Sequence, residues 1–326
     1  MGLQPCTVFQ EHICPGGTDL GQGLNIILAV NYQICSFVLS RIILQRMITM
    51  ENFSVDAYKP KEIAQRIDQA CISKSLTDPL RVFVLAVLAG AFIAFGAAFY
   101  TVVTYHSGGI NPGVLRLMGG LVFSLGLILV IVAGAELFTG NNLLVMAYVD
   151  KKITLRQLVK NWSIVFFGNL VGALGLAVLM YLSGLWFGDV GEKVLLIANA
   201  KVNLSVTEAI SRGILCNVLV CLAVWLCFAG HTVTDKILAI VFPISAFVAL
   251  GFEHSVANMY FIPAGLLAKY QPELLASMAE TNPNITFDHL TLYGFLVKNL
   301  LPVTFGNIIG GSVFVGLVYW FVYLRD

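Results

Sequence analysis

Three ionisable side chains in otherwise apolar stretches are the residues best suited to chemistry. Glu136, Glu253 and His254 stand in long runs that contain few other charged residues. An ionisable group in such a run is costly to bury and is a functional candidate by default. The glutamates could bind a cation, shuttle protons or accept backbone hydrogen bonds, whereas an imidazole exchanges protons near neutral pH. We favour a structural role for the glutamates and a functional role for His254, whose alternative is a satisfied core histidine.

The composition indicates that these runs belong to a membrane protein. Of 326 residues, 58% are apolar and 11% are charged, and the mean hydropathy is +0.85. A soluble domain carries about 25% charged residues because water must wet its surface. The net charge of +1 gives no basic field for nucleic acid, and the seven cysteines form no C-x-x-C pair typical of zinc sites. We therefore expect the lipid bilayer as a partner, and no metal, cofactor or nucleic acid.

Charge-poor windows predict six membrane spans, each long enough for the roughly 20 helical residues that a bilayer core requires. The predicted spans are 80–105, 114–137, 157–187, 208–230, 236–268 and 295–323. Eleven lysines and arginines fall on the side that holds both ends of this six-span segment, against six on the other side. The excess predicts a multi-pass protein of the cell (inner) membrane with cytoplasmic N- and C-termini.

The residues before the first span divide into two segments. Residues 1–49 fit poorly, and we interpret them as an extension upstream of a start at Met47 or Met50, the alternative being a seventh, peripheral helix. The next segment reads as an amphipathic helix on the cytoplasmic surface. The predicted segments are therefore 1–49, 50–79 and a transmembrane domain at 80–326, with halves at about 80–188 and 206–324.

Two sequence motifs recur in the same order. The repeated pairs are Gly134-x-Glu136-x4-Asn141 with Gly251-x-Glu253-x4-Asn258, and Phe167-Gly-Asn169-Leu-Val-Gly172 with Phe305-Gly-Asn307-Ile-Ile-Gly310. Because each half holds three spans, the two copies must cross the membrane in opposite directions, as in the inverted repeats of transport proteins. The first motif interrupts spans two and five with polar residues, which is tolerated where backbone lines a cavity. We predict an all-α membrane protein with six transmembrane helices, an inverted 3+3 repeat and broken helices 2 and 5.

The repeat also separates structural from functional candidates. His254 has no counterpart in the first half, because Leu137 stands at the equivalent position. A purely structural repeat does not need this asymmetry, which favours His254 for chemistry. We expect the asparagines of the first motif to cap the restarting half-helices and those of the second to serve helix packing, namely Asn141 and Asn258, and Asn169 and Asn307.

These stretches resemble the signature of the formate/nitrite transporter family. The likeness is carried by 246–265, 135–139 and 213–225, and it extends from about Tyr58 to the end of the chain. The resemblance implies an aquaporin-like protomer with its own pore, assembled as a homopentamer. It implies transport of small monovalent weak-acid anions, with formate favoured and nitrite or hydrosulfide as the alternative, linked to protons through a central histidine.

The resemblance also implies individual roles. It makes His254 the central histidine and Thr139 the threonine that faces it. Lys201 and Asn217 would draw anions inward, with Lys201 at the external end of span four; the alternative for Lys201 is a side chain that reaches the membrane surface. The implied hydrophobic constrictions are Phe123, Leu127, Leu137, Phe138 and Phe247.

Two other classes of function compete with an anion channel. An intramembrane hydrolase or quinone-linked enzyme using Glu253 and His254 would need a nucleophile or metal ligands near the histidine, and the sequence offers none. A cation or ammonium channel would favour acidic pore mouths and aromatic cation sites. A neutral acid enters an apolar constriction far more easily than its anion does. We therefore expect a non-enzymatic pore in which His254 exchanges a proton with the passing anion.

Overall fold

The computed structural model describes residues 36–38, 40–41, 56–106, 108–186 and 188–325. Nearly all of the predicted extension at 1–49 lies outside these residues, so its interpretation stays a prediction. Residues 1–56 and 57–326 form separate units. All helices named below belong to the second unit.

The regular structure of the described residues in the second unit is helical, and we number the α-helices in chain order. They are α1 (Pro60–Leu76), α2 (Pro79–Thr104), α3 (Pro112–Ala133), α4 (Val145–Val149), α5 (Leu155–Leu182), α6 (Asp189–Val202), α7 (Val206–Ala229), α8 (Val233–Ala249), α9 (Ser255–Ala268), α10 (Pro272–Thr281), α11 (Leu301–Ile308) and α12 (Val318–Tyr323). A 3-10 helix, Gly140–Leu144, precedes α4. Two π-helical segments, Gly294–Leu300 and Ile309–Leu317, flank α11 and make the last span a continuous helix.

All six predicted spans are present. The helices α2, α3, α5, α7 and the continuous helix Gly294–Tyr323 are each long and apolar enough to cross a membrane. The fifth span is divided into α8, of 17 residues, and α9, of 14 residues. At 1.5 Å per residue neither piece reaches across a hydrocarbon core of about 30 Å, so the two must act together. In the first half, the 3-10 helix and α4 follow α3 beyond its break, but α3 is long enough to cross by itself.

Short polar residues fix where the spans begin. Asp78 accepts hydrogen bonds from the backbone N–H groups of Leu80 and Arg81, and Pro79 occupies the first helical position of α2. Ser205 opens α7 in a reciprocal capping box with Glu208. Such caps satisfy N–H groups that a helix start leaves without partners.

A short helix precedes each three-span half, and the sequence predicted only the first of the two. The helix α1 lies before α2, as expected, whereas α6 occupies residues that were assigned to no element. The prediction that Lys201 lies in span four is therefore wrong, because Lys201 is on α6. A sequence signal existed: Lys74 and Lys201 each stand four residues before a helix cap, at Asp78 and Ser205.

Glycines bring the first and third spans of each half into close contact. A Cβ added at Gly172 would collide with the carbonyl oxygen of Val87 on α2. In the second half, a Cβ added at Gly310 would collide with the carbonyl oxygen of Ile214 on α7. The two contacts are equivalent in the repeat, and they hold the first and third spans of each half at backbone distance.

Candidate transport site at the two helix breaks

The first break lies between α3 and the 3-10 helix. Gly134 ends α3 with a φ of 80°, a left-handed conformation that suits glycine. Glu136 follows within the break and forms an ion pair with Lys74 of α1, with 3.0 Å between Nζ and Oε2. Asn141 donates to the same carboxylate oxygen at 2.7 Å and accepts from Lys74 at 2.8 Å. Its amide also donates to Oδ1 of Asn161 on α5 at 2.9 Å.

The second break repeats this network with residues of the second half. Gly251 has a φ of 73° at the end of α8. Glu253 pairs with Lys201 of α6, with 2.9 Å between Nζ and Oε1. Asn258 donates to Oε2 of Glu253 at 2.6 Å and to Oδ1 of Asn299 at 2.7 Å. Each half therefore places one Lys–Glu pair and two asparagines at its break.

The hydrogen-bond partners predicted for the glutamates and for Asn258 differ from those in the structure. The two glutamate carboxylates accept hydrogen bonds from lysine and asparagine side chains, whereas backbone N–H donors were expected. Asn258 does not cap α9, because that role belongs to His254. Asn258 lies one turn inside the helix, on the side of Glu253, so its side chain cannot reach the N–H groups at the start of α9.

The asparagines of the second motif hold the backbone of the breaks. Asn169 accepts from the N–H of Phe138 at 2.9 Å and donates to the carbonyl oxygens of Ala86 and Glu136. Asn307 bridges the second break in the same way. Its partners are the N–H of Ser255 at 2.9 Å and the carbonyl oxygens of Gly213 and Glu253. These asparagines therefore join the first and third spans of each half, as helix packing requires, and in addition hold the backbone of the breaks.

Thr139 and His254 meet where the two breaks face each other. Nε2 of His254 lies 3.0 Å from Oγ1 of Thr139, and both side chains are buried. Nδ1 of His254 accepts the backbone N–H of Ala257 at 3.1 Å, so the ring caps α9. A ring nitrogen that accepts cannot also carry a proton, so the neutral ring bears its hydrogen on Nε2. The histidine therefore donates to the threonine hydroxyl.

Two cavities approach this pair, one lined by His254 and the other by residues close to Thr139 in the chain. The Lys201 cavity has a volume of about 90 Å³ and is lined by Phe123, Phe247, Lys201, Glu253 and His254, among others. The Lys74 cavity has a volume of about 390 Å³, and its lining includes Leu127, Leu137, Lys74, Glu136 and Gly140. Thr139 lines neither cavity. It stands between Leu137 and Gly140 in the chain and touches His254, so the pair separates the two cavities.

The predicted hydrophobic constrictions divide between these surfaces. Phe123 and Phe247 meet edge to face in the Lys201 cavity, with ring centroids 5.6 Å apart. Leu127 and Leu137 line the Lys74 cavity. Phe138 lines neither cavity and packs against Phe166, with centroids 5.1 Å apart.

Lys201 and Asn217 do not lie together. Lys201 lines its cavity, pairs with Glu253 and sits 5.2 Å from the ring centroid of Phe261. Asn217 is fully buried in α7 and lines neither cavity. Its amide nitrogen faces the carbonyl oxygens of Thr139 and Asn307 and the side-chain oxygen of Asn142.

Sequence reasoning missed Lys74, Asn161 and Asn299. Each of these residues bonds to a residue of the first motif, but none belongs to either repeated motif. A spacing signal was available, because Asn161 and Asn299 each precede the second-motif asparagine, Asn169 or Asn307, by eight residues.

Together these features define a class of protein. Six spans in an inverted repeat, two broken helices and a cavity on each side of their meeting point are the features of a membrane transport protein. The chain belongs to the formate/nitrite transporter family, whose family model, described as "Formate/nitrite transporter", matches residues 61–321.

Individual relatives agree with this family. The chain is 45% identical to the formate channel FocA of Escherichia coli (strain K12) over 276 residues, covering 83% of this chain and 96% of the relative. It is 40% identical to a probable formate transporter of Methanothermobacter thermautotrophicus, covering 76% of this chain and 90% of that protein. A solved pentameric formate channel with formate bound superposes with a TM-score of 0.68 at 39% identity, covering 76% of this chain and 98% of that one.

These findings confirm the family that the sequence motifs indicated and the all-helical six-span fold. They also decide against the enzyme alternative, because the matched relatives are channels and transporters.

Proposed function

We propose that this protein is a formate channel whose pore passes between Thr139 and His254. The observation that carries the proposal is the Thr139–His254 contact, with one cavity lined by His254 on one side of it and a second cavity lined by Leu137 and Gly140, close to Thr139 in the chain. The relatives named above are formate channels or transporters, which favours formate over nitrite and hydrosulfide. The assembly is a homopentamer, on the likeness to a pentameric formate channel.

The Lys201 cavity suits a small anion at the entrance. A volume of about 90 Å³ holds an ion with three heavy atoms, and the Lys201 ammonium group carries three N–H donors. Glu253 takes one of these donors, which leaves others for a carboxylate. Lys201 thus serves as an entry ligand, and Glu253 keeps the ammonium group in place. The rings of Phe123 and Phe247 limit the width of the passage beside it.

His254 can act on formate in two protonation states with different consequences. The neutral ring offers Nε2–H as a hydrogen-bond donor, with the Thr139 hydroxyl beside it. The imidazolium ring has N–H groups on both nitrogens, so its Nδ1 must release the Ala257 N–H that it now accepts. An anion at Nε2 compensates this loss by charge attraction. Proton transfer to formate then yields formic acid, which passes the apolar constriction at far lower cost than the anion.

The wider cavity faces the cytoplasm in this proposal. Arg66, Lys74 and Lys236 line the Lys74 cavity, with Glu136 as the one acidic residue in its described lining. The excess of lysine and arginine on this side of the spans follows the positive-inside rule and supports cytoplasmic termini in the inner membrane. A cationic vestibule also raises the local concentration of anions.

The test is formate uptake by proteoliposomes as a function of external pH, for the wild type and for His254→Asn. Asparagine keeps one donor but cannot titrate, so we expect uptake that no longer rises at low external pH. His289→Asn is the matched control, because it makes the same change at an exposed histidine in the loop that connects α10 to the last span. A wild-type pH profile in His254→Asn would contradict proton exchange at the histidine. Failure of the wild type to conduct formate would contradict the channel itself.

A further inference from the structure

The two halves differ where the first span of each half meets the third span. Asn169 donates to the carbonyl oxygen of Ala86, and Asn307 donates to that of Gly213, so Ala86 and Gly213 are equivalent positions. Four residues further on, the first half carries Gly90 and the second half carries Asn217. One buried glycine has thus been replaced by a buried amide.

A second exchange accompanies the first. Gly172 and Gly310 are equivalent, so the next residues, Ala173 and Gly311, are equivalent as well. A Cβ added at Gly311 would overlap the Asn217 amide and lie 2.8 Å from Sγ of Cys221. The first half combines glycine with alanine, and the second combines asparagine with glycine. Because Gly311 has no side chain, the space that a methyl group would fill there is available for the amide of Asn217.

The backbone of the last span changes at the same place. In the first half, α5 is a regular α-helix from Leu155 to Leu182. In the second half, the helix becomes π-helical over Ile309–Leu317. The carbonyl oxygen of Asn307, just before this segment, accepts from Nδ2 of Asn217 at 2.7 Å. Single π turns inside α-helices are frequent at functional sites.

Asn217 uses this space to reach across to the first half. Its amide donates to Oδ1 of Asn142 at 2.7 Å and to the carbonyl oxygen of Thr139 at 3.2 Å. Sγ of Cys221, one turn further along α7, lies 3.4 Å from the same carbonyl oxygen. Ser312, within the π segment, donates to the carbonyl oxygen of Asn142 at 3.3 Å. The backbone of Thr139 is thus held by α7, and that of Asn142 by the last span.

We propose that Asn142, Asn217 and Gly311 form a clamp that fixes the Thr139 hydroxyl opposite His254 and so sets the size limit of the pore. These three are positioning residues, because they act on the passing anion through Thr139. The inference rests on the proposed formate channel. The hydroxyl lies 3.0 Å from Nε2 of His254, so an anion passes only after the Thr139 side chain rotates away. With the Thr139 backbone held, this rotation opens a gap that admits the hydrogen of formate more readily than the methyl group of acetate.

The test exchanges the second-half pair for the first-half pair, as Asn217→Gly combined with Gly311→Ala. This double variant removes the clamp and restores a methyl group at 311, where the first half has one. The readout is the ratio of acetate to formate permeability in proteoliposomes. We expect the ratio to rise about tenfold, the discrimination that one methyl group in a pocket commonly gives. The control is Gly175→Ala, since an added Cβ there meets nothing within 4 Å.

A second variant removes the clamp from its other end. Asn142→Met introduces the residue that the repeat carries at the equivalent position, Met259, and leaves Asn217 in place. Either variant, folded as the wild-type oligomer, should show the raised acetate ratio. An unchanged ratio in both variants would overturn the clamp while leaving the formate channel intact.

A direct readout separates the clamp from transport. Hydrogen–deuterium exchange of the backbone amides at 139–144 should be faster in the double variant, because the carbonyl of Thr139 loses its tie to α7. Exchange at wild-type rates would overturn the clamp, whatever the transport assay shows. A wild type that conducts no formate contradicts the proposed function, and the exchange rates still decide on the clamp.

Discussion

The two helix breaks are held by the same kinds of residues and differ in the side chains that lie where the breaks meet. Lys74, Glu136 and Asn141 at the first break correspond in their Lys–Glu and Asn–Glu bonds to Lys201, Glu253 and Asn258 at the second, whereas the bond from Lys74 to Asn141 has no counterpart there among the described residues. Asn169 and Asn307 tie the two broken backbones in the same manner. An arrangement that appears twice, on opposite sides of the membrane, serves a need common to both breaks. That need is to satisfy polar backbone at membrane depth.

The residues that differ between the two halves lie where the two breaks meet. His254 stands where the first half has Leu137, and Asn217 stands where it has Gly90. Both of these second-half side chains reach Thr139 of the first half, one at the hydroxyl and the other at the carbonyl oxygen. The residues that the two halves share support the breaks, whereas the residues that differ between the halves surround Thr139.

The largest effect is expected from removing one charge of a buried pair. Glu253 and Lys201 have side-chain exposures of 6% and 15%, against 12% and 33% for Glu136 and Lys74. Glu253→Gln leaves an ammonium group buried without its partner, which costs about 3–5 kcal/mol. Glu136→Gln should cost less, because Lys74 can turn to water. Thermal unfolding of the purified oligomer measures both.

The charge pair also offers its own control. Lys201→Gln combined with Glu253→Gln removes both charges, and we expect it to recover most of the stability lost in Glu253→Gln. Equal losses for Glu136→Gln and Glu253→Gln would show that burial does not distinguish the two breaks.

A smaller and symmetric effect is expected from the backbone ties. Asn169→Ala leaves the buried N–H of Phe138 without its acceptor, and Asn307→Ala does the same to Ser255. An orphaned buried donor costs about 1–3 kcal/mol. Because the two networks are equivalent, the two variants should lower the unfolding midpoint by similar amounts. A large difference between them would mean that the breaks are not held alike.

The smallest effect concerns an ion-pair cluster outside the spans, which anchors α1. Lys152 pairs with Asp68 of α1 and with Asp150, and Asp150 also accepts from Trp320 at 3.1 Å. The hydrogen bond from Lys152 lowers the pKa of Asp150 from its usual value. A lowered folded-state pKa contributes stability that is present above the unfolded pKa and is lost as the pH falls through the folded value.

The corresponding test compares Asp150→Asn with the wild type across pH. We expect the wild type to be more stable by about 0–1 kcal/mol near neutral pH, since Lys152 and Asp150 are both partly exposed to solvent. The difference should begin to shrink as the pH falls below about 4, the usual carboxyl pKa, and should vanish below the lowered folded-state pKa. A difference that does not shrink as the pH falls from neutral to the lowest value at which the protein stays folded would assign the effect of Asp150 to packing, independent of its charge.

Much of the fold could be predicted from local properties of the chain. Apolar windows free of charge predict spans because a charged side chain in hydrocarbon is expensive at any sequence position. The spacing of Gly134, Glu136 and Asn141 predicts a break because the same pattern recurs in the second half. The difference between Leu137 and His254 is visible when the two copies of this motif are compared. These inferences need no knowledge of which segments touch.

The identity of the partners needed the tertiary structure. Lys74 and Glu136 are 62 residues apart, and Lys201 and Glu253 are 52 apart, with each lysine on a short helix outside the repeated motifs. From the sequence of α7 alone, Asn217 is predicted to be a polar residue that faces the pore. Its actual partners lie on the first break and the last span, at separations of 78 and 90 residues.

The sequence by itself determined the spans, the breaks and the family, because hydropathy and motif spacing are properties of single segments. Tertiary structure alone decided that α6 exists as the counterpart of α1, that Phe138 packs away from both cavities and that Asn217 holds Thr139. The physical reason is that a buried amide or ammonium group takes whichever partner the packing of distant helices brings within about 3 Å, because leaving it unpaired costs more than any local preference.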